Sequence, residues 1–301
     1  MSAVRRLAAL VTIALLAAGC ARQPGGRVGG NHVVTVGVGS SDEQRMLAAL
    51  TIAALTHAGV PVGQPRTELG GTQRLRQEAR RGAIDLYWDY TGAAWSLGLG
   101  QQNPPADPRE SYDRVAQQDA AQGLIWLQPS AANATLALFV RPADRPKDGT
   151  MTELARELSA GDRTLCADPD FIDRAAGYAA LADEYSIRAL IPLRRASEPE
   201  SVAAVAAGTC FAGLATATSG EARRAGLVPV ADDQRVFPAF IAAPVTRTDA
   251  LERQPEIARA LAPLAQALTT DRLAELNAQV AVGADPATIA ESFIETLVDP
   301  A

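Results

Sequence analysis

Residues 70–92 read GGTQRLRQEARRGAIDLYWDYTG and predict a helix, a tight turn, a strand and a polar turn, in that order. Thr72 can cap the helix, and Gly82 can end it because glycine readily adopts the left-handed conformation. Apolar and polar residues then alternate up to Tyr90, which is the period of a half-buried strand. Tyr90 and Thr91 are thus predicted where the strand ends, and open α/β sheets bind ligands outside the carboxyl ends of their strands. The alternative is a buried amphipathic turn with Tyr90 in the core.

The first 19 residues are predicted to be a signal peptide, because two arginines precede an apolar run that is too short for a confident membrane span. The residues LAAGC that end at Cys20 resemble a lipoprotein signal-peptidase site, with Cys20 as the lipidated residue. An ordinary secretory signal cut elsewhere is the alternative, and both predict export. Residues 20–32 are rich in glycine and lack periodicity, which indicates a flexible tether between the lipid anchor and the folded chain.

Composition argues against several classes of function. The net charge is −6, and loss of the signal peptide with its two arginines makes the mature chain more acidic. An acidic chain without basic clusters is a poor partner for nucleic acid or for anionic lipid. The two histidines, His32 and His57, have no Cys, Asp or Glu at metal-ligand spacing. We find no catalytic or cofactor motif, so we predict no catalytic residue, no metal and no cofactor.

Two cysteines remain after Cys20. Cys166 and Cys210 each lie in a short apolar run that is typical of a strand. In an oxidising compartment two cysteines suggest one disulfide, which is feasible if the two strands are neighbours. If they are not neighbours, both residues are buried thiols.

The order strand, helix, strand recurs along the chain. Strands are predicted at Val33–Val38, Thr164–Ala167 and Thr209–Ala215, and a long helix at Phe171–Tyr185. This order predicts an α/β fold with parallel sheets covered on both faces. From Asp249 onward the pattern is mostly helical, and the mature length of roughly 270 residues suits one large or two modest lobes.

Several separated motifs carry a resemblance to a known family. They are Glu43-Gln44, Asp89–Gly92 (DYTG), Asn133–Leu138 (NATLAL), Phe171–Tyr185, Ala215–Gly220 (ATATSG) and Phe237–Val245 (FPAFIAAPV). Together they resemble the motifs of the substrate-binding proteins of osmoprotectant ABC importers, which take up glycine betaine, choline, carnitine and related quaternary amines. The resemblance covers nearly all of the mature chain.

The resemblance implies a type II periplasmic-binding-protein fold, in which a ligand cleft lies between two α/β lobes. One lobe would comprise residues 33–138 and 237–301, and the other residues 139–236. Two crossing segments would form a hinge, and closure around the ligand is the expected motion. The chain would be a lipid-anchored lipoprotein on the outer face of the cytoplasmic membrane that delivers a small-molecule ligand to an ABC permease subunit.

The same resemblance implies seven ligand-contacting residues: Gln44, Tyr90, Thr91, Asn133, Leu136, Thr216 and Thr218. A quaternary ammonium is held against aromatic faces, each worth roughly 0.5–2 kcal/mol. Leu136 and Thr216 stand where the family has tyrosines, so we expect weak glycine betaine binding, or a different compatible solute or small polar ligand. Tyr178, Tyr185 and Trp95 are candidates to replace the lost rings, or else they are core residues.

Two other functions stay open at this point. A sensory or interaction lipoprotein without a transport role would fit the depleted aromatic cage. An enzyme on the same scaffold is disfavoured, because Asp85 and Asp89 lie four apart on a strand and share a face without converging on a common proton.

Overall fold

The structure, a computed structural model, describes residues 32–187 and 191–298. The predicted signal peptide, Cys20 and most of the tether lie outside these residues. The helices are α1 (Asp42–His57), α2 (Thr72–Arg80), α3 (Thr91–Ala93), α4 (Pro108–Ala120), α5 (Met151–Ser159), α6 (Pro169–Asp173), α7 (Ala180–Glu184), α8 (Glu198–Ala206), α9 (Gly220–Arg224), α10 (Thr248–Arg253), α11 (Glu256–Ala267), α12 (Thr270–Val280) and α13 (Pro286–Val298). The strands are β1 (Leu86–Tyr90), β2 (Leu124–Trp126), β3 (Leu136–Val140), β4 (Leu165–Ala167), β5 (Leu193–Arg195), β6 (Ala212–Thr216), β7 (Val228–Pro229) and β8 (Ala242–Arg247).

The first sheet has the order β1-β8-β2, and β8 is antiparallel to both neighbours. The segment predicted as the strand Val33–Val38 joins this sheet through isolated bridges, such as the parallel bridge between Val36 and Leu86. Strand β1 ends at Tyr90, and α3 starts at Thr91. The helix, strand and polar turn predicted from residues 70–92 therefore form in that order.

The second sheet has the order β5-β4-β6-β3-β7. Strand β4 runs parallel to β5 and β6, whereas β3 runs antiparallel to β6 and β7. The prediction of parallel sheets is therefore wrong in part, because the strands of the first sheet pair antiparallel and the second sheet is mixed. Strands β3 and β8 are reached by crossing from one sheet to the other, not through a helix packed on the same sheet, so nothing constrains them to run parallel.

Two separate sets of buried side chains surround the two sheets. Helix α1 lies at the centre of the first, where Leu47 packs in one cluster with Leu261 of α11 and Ile294 of α13. The second set contains Leu138, Leu165 and further apolar side chains from the middle of the chain. The two ends of the described chain thus share one core, and the middle forms the other.

Two crossing segments connect these cores and run side by side. The Ala134 amide donates to the Phe240 carbonyl at 2.9 Å, and the Ala242 amide donates to the Ala132 carbonyl at 3.0 Å. A Cβ at Gly92 would lie 2.4 Å from the Phe240 ring, so a glycine is needed where the second segment passes the end of β1.

The predicted helix Phe171–Tyr185 is interrupted. Arg174 has the extended conformation φ −78°, ψ 143°, and Gly177 has φ −110°, ψ −122°. A helix cannot continue through such dihedral angles. The segment therefore consists of α6, a short π-helical turn at Ala175–Ala179, and α7.

A disulfide joins Cys166 of β4 to Cys210, which lies just before β6, and their Cα atoms are 5.9 Å apart. Strands β4 and β6 are neighbours, so the bridge crosses between adjacent parallel strands. Both cysteines are fully buried. The bridge closes a loop that spans the whole of α6, α7, β5 and α8.

We expect reduction of this disulfide to lower the free energy of unfolding by about 2–4 kcal/mol, because the bridge restricts the unfolded chain. Urea unfolding with and without reductant measures the difference. A Cys166→Ala, Cys210→Ala variant is the control and should not respond to reductant. Coincident curves for the natural chain, or two free thiols by mass spectrometry, would contradict the bridge.

Candidate functional site

A crevice of about 220 Å³ lies where helices of the two cores meet. We call it the acidic crevice. Four of its lining residues are carboxylates, and Thr216 and Asn277 lie among them: Asp42, Glu43, Glu198, Glu221, Thr216 and Asn277. No lysine, arginine or histidine of the described chain lines it.

Three helices begin at the acidic crevice, which explains why carboxylates collect there. Ser41 caps α1 and Ser219 caps α9, and Ser197 forms a capping box with Glu200 at the start of α8. Acidic residues in a first turn offset the positive end of the helix dipole, which is equivalent to roughly half a charge at each N-terminus. The lining therefore has four acidic side chains and no basic one among the described residues, although Arg45 pairs with Asp42.

The pKa of the Glu221 carboxyl is shifted by burial and by the charges around it. Burial raises the pKa of the Glu221 carboxyl above its ordinary value, and the charges of Glu198 and Asp42 raise it further. Arg224 opposes the shift only in part. A cation in the crevice would relieve this repulsion.

Each carboxylate oxygen of Glu43 accepts a hydrogen bond. The Tyr90 hydroxyl donates to Glu43 Oε1 at 2.5 Å, and the Asn277 amide nitrogen donates to Glu43 Oε2 at 2.7 Å. Burial, and then the charge of Glu43, raise the pKa of the Tyr90 phenol well above its ordinary value, so the hydroxyl stays protonated and donates. Tyr90 therefore fixes the position of a carboxylate in the crevice.

Asn277 also bridges the two cores. Its amide nitrogen donates to the Thr218 carbonyl at 2.9 Å, in the turn after β6. The backbones are close here, since a Cβ at Gly220 would lie 2.5 Å from the Asn277 carbonyl carbon. An ion pair between Arg223 and Glu275, 2.6 Å long, adds a second contact between α9 and α12.

The remaining polar atom of Asn277 has no partner. Asn277 is only 6% exposed, and its Oδ1 accepts no hydrogen bond within the described chain. Its orientation is fixed, because the amide nitrogen faces two acceptors, Glu43 and the Thr218 carbonyl. A buried acceptor left without a donor costs about 1–3 kcal/mol. Because Asn277 Oδ1 is itself enclosed, this cost belongs to the contact between the two cores.

The structure brings some of the predicted ligand residues to the crevice. Thr216 and Thr218 line it, and Tyr90 reaches it through Glu43. Leu136 lies opposite Thr216 in the second sheet. Gln44 packs instead against Gly39, where an added Cβ would lie 1.7 Å from Gln44 Oε1.

Thr91, at the start of α3, and Asn133, in the first crossing segment, both contact the second crossing segment. The Thr91 hydroxyl donates to the Ala239 carbonyl and accepts from the Ile241 amide, each at 3.1 Å. Asn133 Oδ1 accepts from the Phe240 amide at 2.8 Å. Both side chains thus fasten the second crossing segment, and a direct contact with ligand stays a prediction for each.

The aromatic residues that were candidates to replace the two missing tyrosines do not line the acidic crevice. Trp95 packs in the core of the first unit and donates to the Gln102 carbonyl, and Tyr178 packs in the core of the second. Tyr185 donates to Asp232. Within the described residues no aromatic side chain lines the acidic crevice.

Sequence reasoning missed most of the crevice. Glu43 lies in the first turn of α1, where the helix dipole already accounts for an acidic residue, so the sequence gives no signal of its contact with Tyr90. Glu198 and Glu221 likewise have the pattern of first-turn acidic residues. Asn277 gave one signal, because an asparagine on the apolar face of a helix is unfavourable unless its amide finds a partner.

A buried charge network supports the end of β1. Arg76 donates to both oxygens of Asp119, and Asp119 also accepts from the Trp126 indole at 2.7 Å. Asp89 accepts from the Tyr90 amide at 2.8 Å and lies 3.8 Å from Arg76. One arginine thus faces two buried carboxylates. Burial raises the pKa of Asp89 to about 7, although the Tyr90 amide and Arg76 both lower it.

The fold and the crevice define a class of protein. Two α/β units joined by two crossing segments, with a polar crevice where they meet, are the features of a two-lobed periplasmic substrate-binding protein, and the predicted fold class is confirmed. The chain belongs to the family described as the substrate binding domain of ABC-type glycine betaine transport systems, which matches residues 32–296. It is therefore an extracytoplasmic substrate-binding protein of an ABC importer.

Individual relatives of the chain are described as glycine-betaine-binding proteins. The chain is 31% identical to a glycine-betaine-binding protein of Pseudomonas aeruginosa, over 98% of this chain and 94% of that protein. It is 30% identical to the glycine betaine-binding protein YehZ of Escherichia coli, over 87% and 90%. The solved structure of apo YehZ matches with a TM-score of 0.80 at 28% identity and covers 88% of this chain and 98% of that one.

Among residues 32–187 and 191–298, no helix has both the length and the apolar character that a membrane span requires.

We expect Asp89→Asn to change how stability depends on pH. The pKa of Asp89 is raised to about 7 in the folded chain, so its contribution to stability is present at low pH and is lost as the pH rises toward 7. The free energy of unfolding of the natural chain should fall, relative to the variant, by about 1 kcal/mol per pH unit between roughly pH 4 and 7. Urea unfolding at several pH values measures this, and parallel curves would contradict it.

Proposed function

We propose that this chain binds a small organic cation in the acidic crevice and delivers it unchanged to the permease of an ABC importer. The observation that supports this most directly is that four carboxylates and no basic residue of the described chain line the crevice, although Asp42 pairs with Arg45 outside it. Opposite charge within a few ångströms, in a partly buried site, is a strong source of affinity.

The net charge of the ligand follows from the same observation. The relatives named above are described as glycine-betaine-binding proteins, and glycine betaine is a zwitterion. Its carboxylate would need hydrogen-bond donors, and the crevice offers chiefly acceptors. We therefore propose a ligand of the same general type without the carboxylate, a cation such as choline, and weak binding of glycine betaine.

We propose the lobe boundaries from the strand pairing within the two sheets. Strand β3 pairs with β6 from Leu136 onward, which favours a first crossing at residues 133–135 instead of after residue 138. The second crossing would be at residues 238–241. Closure around the ligand would then bend these segments, and the existing contact between α9 and α12 would hold the closed arrangement.

We also propose that Cys20 carries a lipid anchor and that residues 21–31 tether the receptor near its permease. The LAAGC motif supports this proposal. In cells, Cys20→Ala should move the protein from the membrane fraction to the soluble extracytoplasmic fraction. A variant that stays with the membrane would contradict the anchor without affecting the proposed ligand site.

Calorimetry of the mature protein tests the ligand proposal. We expect choline to bind at least tenfold more tightly than glycine betaine, carnitine or proline betaine, because only choline lacks a carboxylate. Tighter binding of glycine betaine would contradict the proposed charge selectivity. No binding of any of the four would contradict the proposed class of ligand.

A charge variant localises the site. Glu221→Gln should weaken choline binding by roughly tenfold, because a charge about 5 Å away in a partly buried site is worth on the order of 1–3 kcal/mol. Glu252→Gln is the control, since Glu252 is exposed on α10 and does not line the crevice. Equal effects of the two variants would place the ligand elsewhere.

A further inference from the structure

We propose that helix α12 holds the crevice closed through direct contacts with the second core, and that these contacts need no ligand. The helix belongs to the first core, where Leu273 and Leu276 are buried, and it meets the second core at residues 218–223. We call the contacts between α12 and residues 218–223 the latch. The inference goes beyond the proposed function, because it concerns protein groups alone and does not depend on which ligand the crevice binds.

The start of α12 is attached to the first crossing segment. The Thr270 hydroxyl accepts from the Asn133 amide at 3.0 Å, and Ala131 forms a parallel bridge with Thr269, the residue that caps the helix. Further along the helix, its apolar side chains are buried in the first core. The helix is therefore fixed to the first core and starts where the chain crosses between the cores.

Two turns further on, about 10 Å along the helix axis, α12 reaches the second core. Asn277 donates its amide nitrogen to the Thr218 carbonyl, and the two residues are only 6% and 1% exposed, so water competes little for this hydrogen bond. The backbones approach closely beside it, because a Cβ at Gly220 would lie 2.5 Å from the Asn277 carbonyl carbon and 2.7 Å from the Ala278 amide nitrogen. A glycine is therefore needed at this contact.

An ion pair lies on the solvent side of the latch. Arg223 of α9 and Glu275 of α12 are 2.6 Å apart, and both side chains are partly exposed. Arg272 also pairs with Glu275, at 2.9 Å, but it belongs to α12 itself and does not link the cores. An exposed ion pair is a modest interaction, so the latch depends mainly on the buried hydrogen bond and the close backbone approach.

The latch and the crossing segments together define two arrangements of the cores. The crossing segments can bend, whereas every contact of the latch must break when α9 leaves α12. Each of these contacts joins two groups of the protein, so the closed arrangement is favoured before any ligand binds. A ligand that binds this arrangement need not supply the free energy of closure, and a weaker latch would reduce its apparent affinity in proportion to the closed fraction.

Small-angle X-ray scattering of the mature protein without ligand tests the latch. Gly220→Ala places a methyl group where α9 meets the backbone of α12, so we expect a larger radius of gyration than for the natural chain. Gly161→Ala is the matched control, because Gly161 is exposed, lies outside the latch, and an added Cβ there would meet open space among the described residues. The control should have the radius of gyration of the natural chain.

A second pair of variants keeps the test independent of how Gly220→Ala folds. Asn277→Ala with Arg223→Glu removes the buried hydrogen bond and the ion pair, and should lower the ratio of closed to open molecules by about tenfold or more. Gln279→Ala with Arg224→Glu makes the same two changes at nearby exposed positions of the same helices and should not expand the chain. Thermal unfolding of each variant shows that it is folded.

The outcomes are distinct from those of the proposed function. Expansion of the folded latch variants, with both controls unchanged, supports the latch whatever the ligand is. Equal radii of gyration for the natural chain and for every folded latch variant overturn it, even if choline binds as proposed. Failure of choline to bind, together with expansion of the latch variants, contradicts the proposed function and leaves the latch intact.

Discussion

A chain of three hydrogen bonds centred on Glu43 and Asn277 sets the geometry of the crevice. Tyr90 at the end of β1 holds one oxygen of Glu43, Asn277 of α12 holds the other, and Asn277 also binds the backbone of Thr218 beyond β6. The chain therefore runs from the sheet of the first core, through the start of α1, to the turn that precedes α9. Any change in the distance between the cores must lengthen or break its last link.

The charges of the crevice are what distinguish it from a simple gap between packed helices. Three helix N-termini converge there, and their dipoles account for part of the acidic character. Burial, and then the charges of Glu198 and Asp42, raise the pKa of Glu221, and Arg224 lowers it. The proposed cation would offset part of the charge of these carboxylates beside α1, α8 and α9.

The fold was largely predictable because its signals are local. Gly82, the alternation up to Tyr90 and the capping residues decide helix and strand boundaries within a few residues of themselves. The direction of β3 and β8 was not predictable in this way, since it depends on where the chain crosses between cores. The interruption of the helix at Gly177 could not be predicted from hydrophobic periodicity either, because the apolar spacing is compatible with one continuous helix.

The site was harder to predict for a physical reason. First-turn acids such as Glu198 and Glu221 serve their own helices, and only tertiary structure shows that their helices start at one point. Thr216 and Thr218, predicted from the resemblance, line the crevice, and their contact with ligand stays a prediction. Thr91 and Asn133 use their side chains to fasten the second crossing segment. A family motif does not distinguish a residue that contacts the ligand from a residue that holds a crossing segment in place.

The position of the ligand nitrogen in a crystal structure would decide whether the acidic crevice is the binding site. In a crystal structure of the mature protein grown with choline, we expect density for the cation between α1, α8 and α9. The nitrogen should lie within roughly 4–6 Å of the carboxylates of Glu43, Glu198 and Glu221. Density for the cation beside the aromatic side chains of either core, with the crevice holding only water, would contradict the assignment of the crevice.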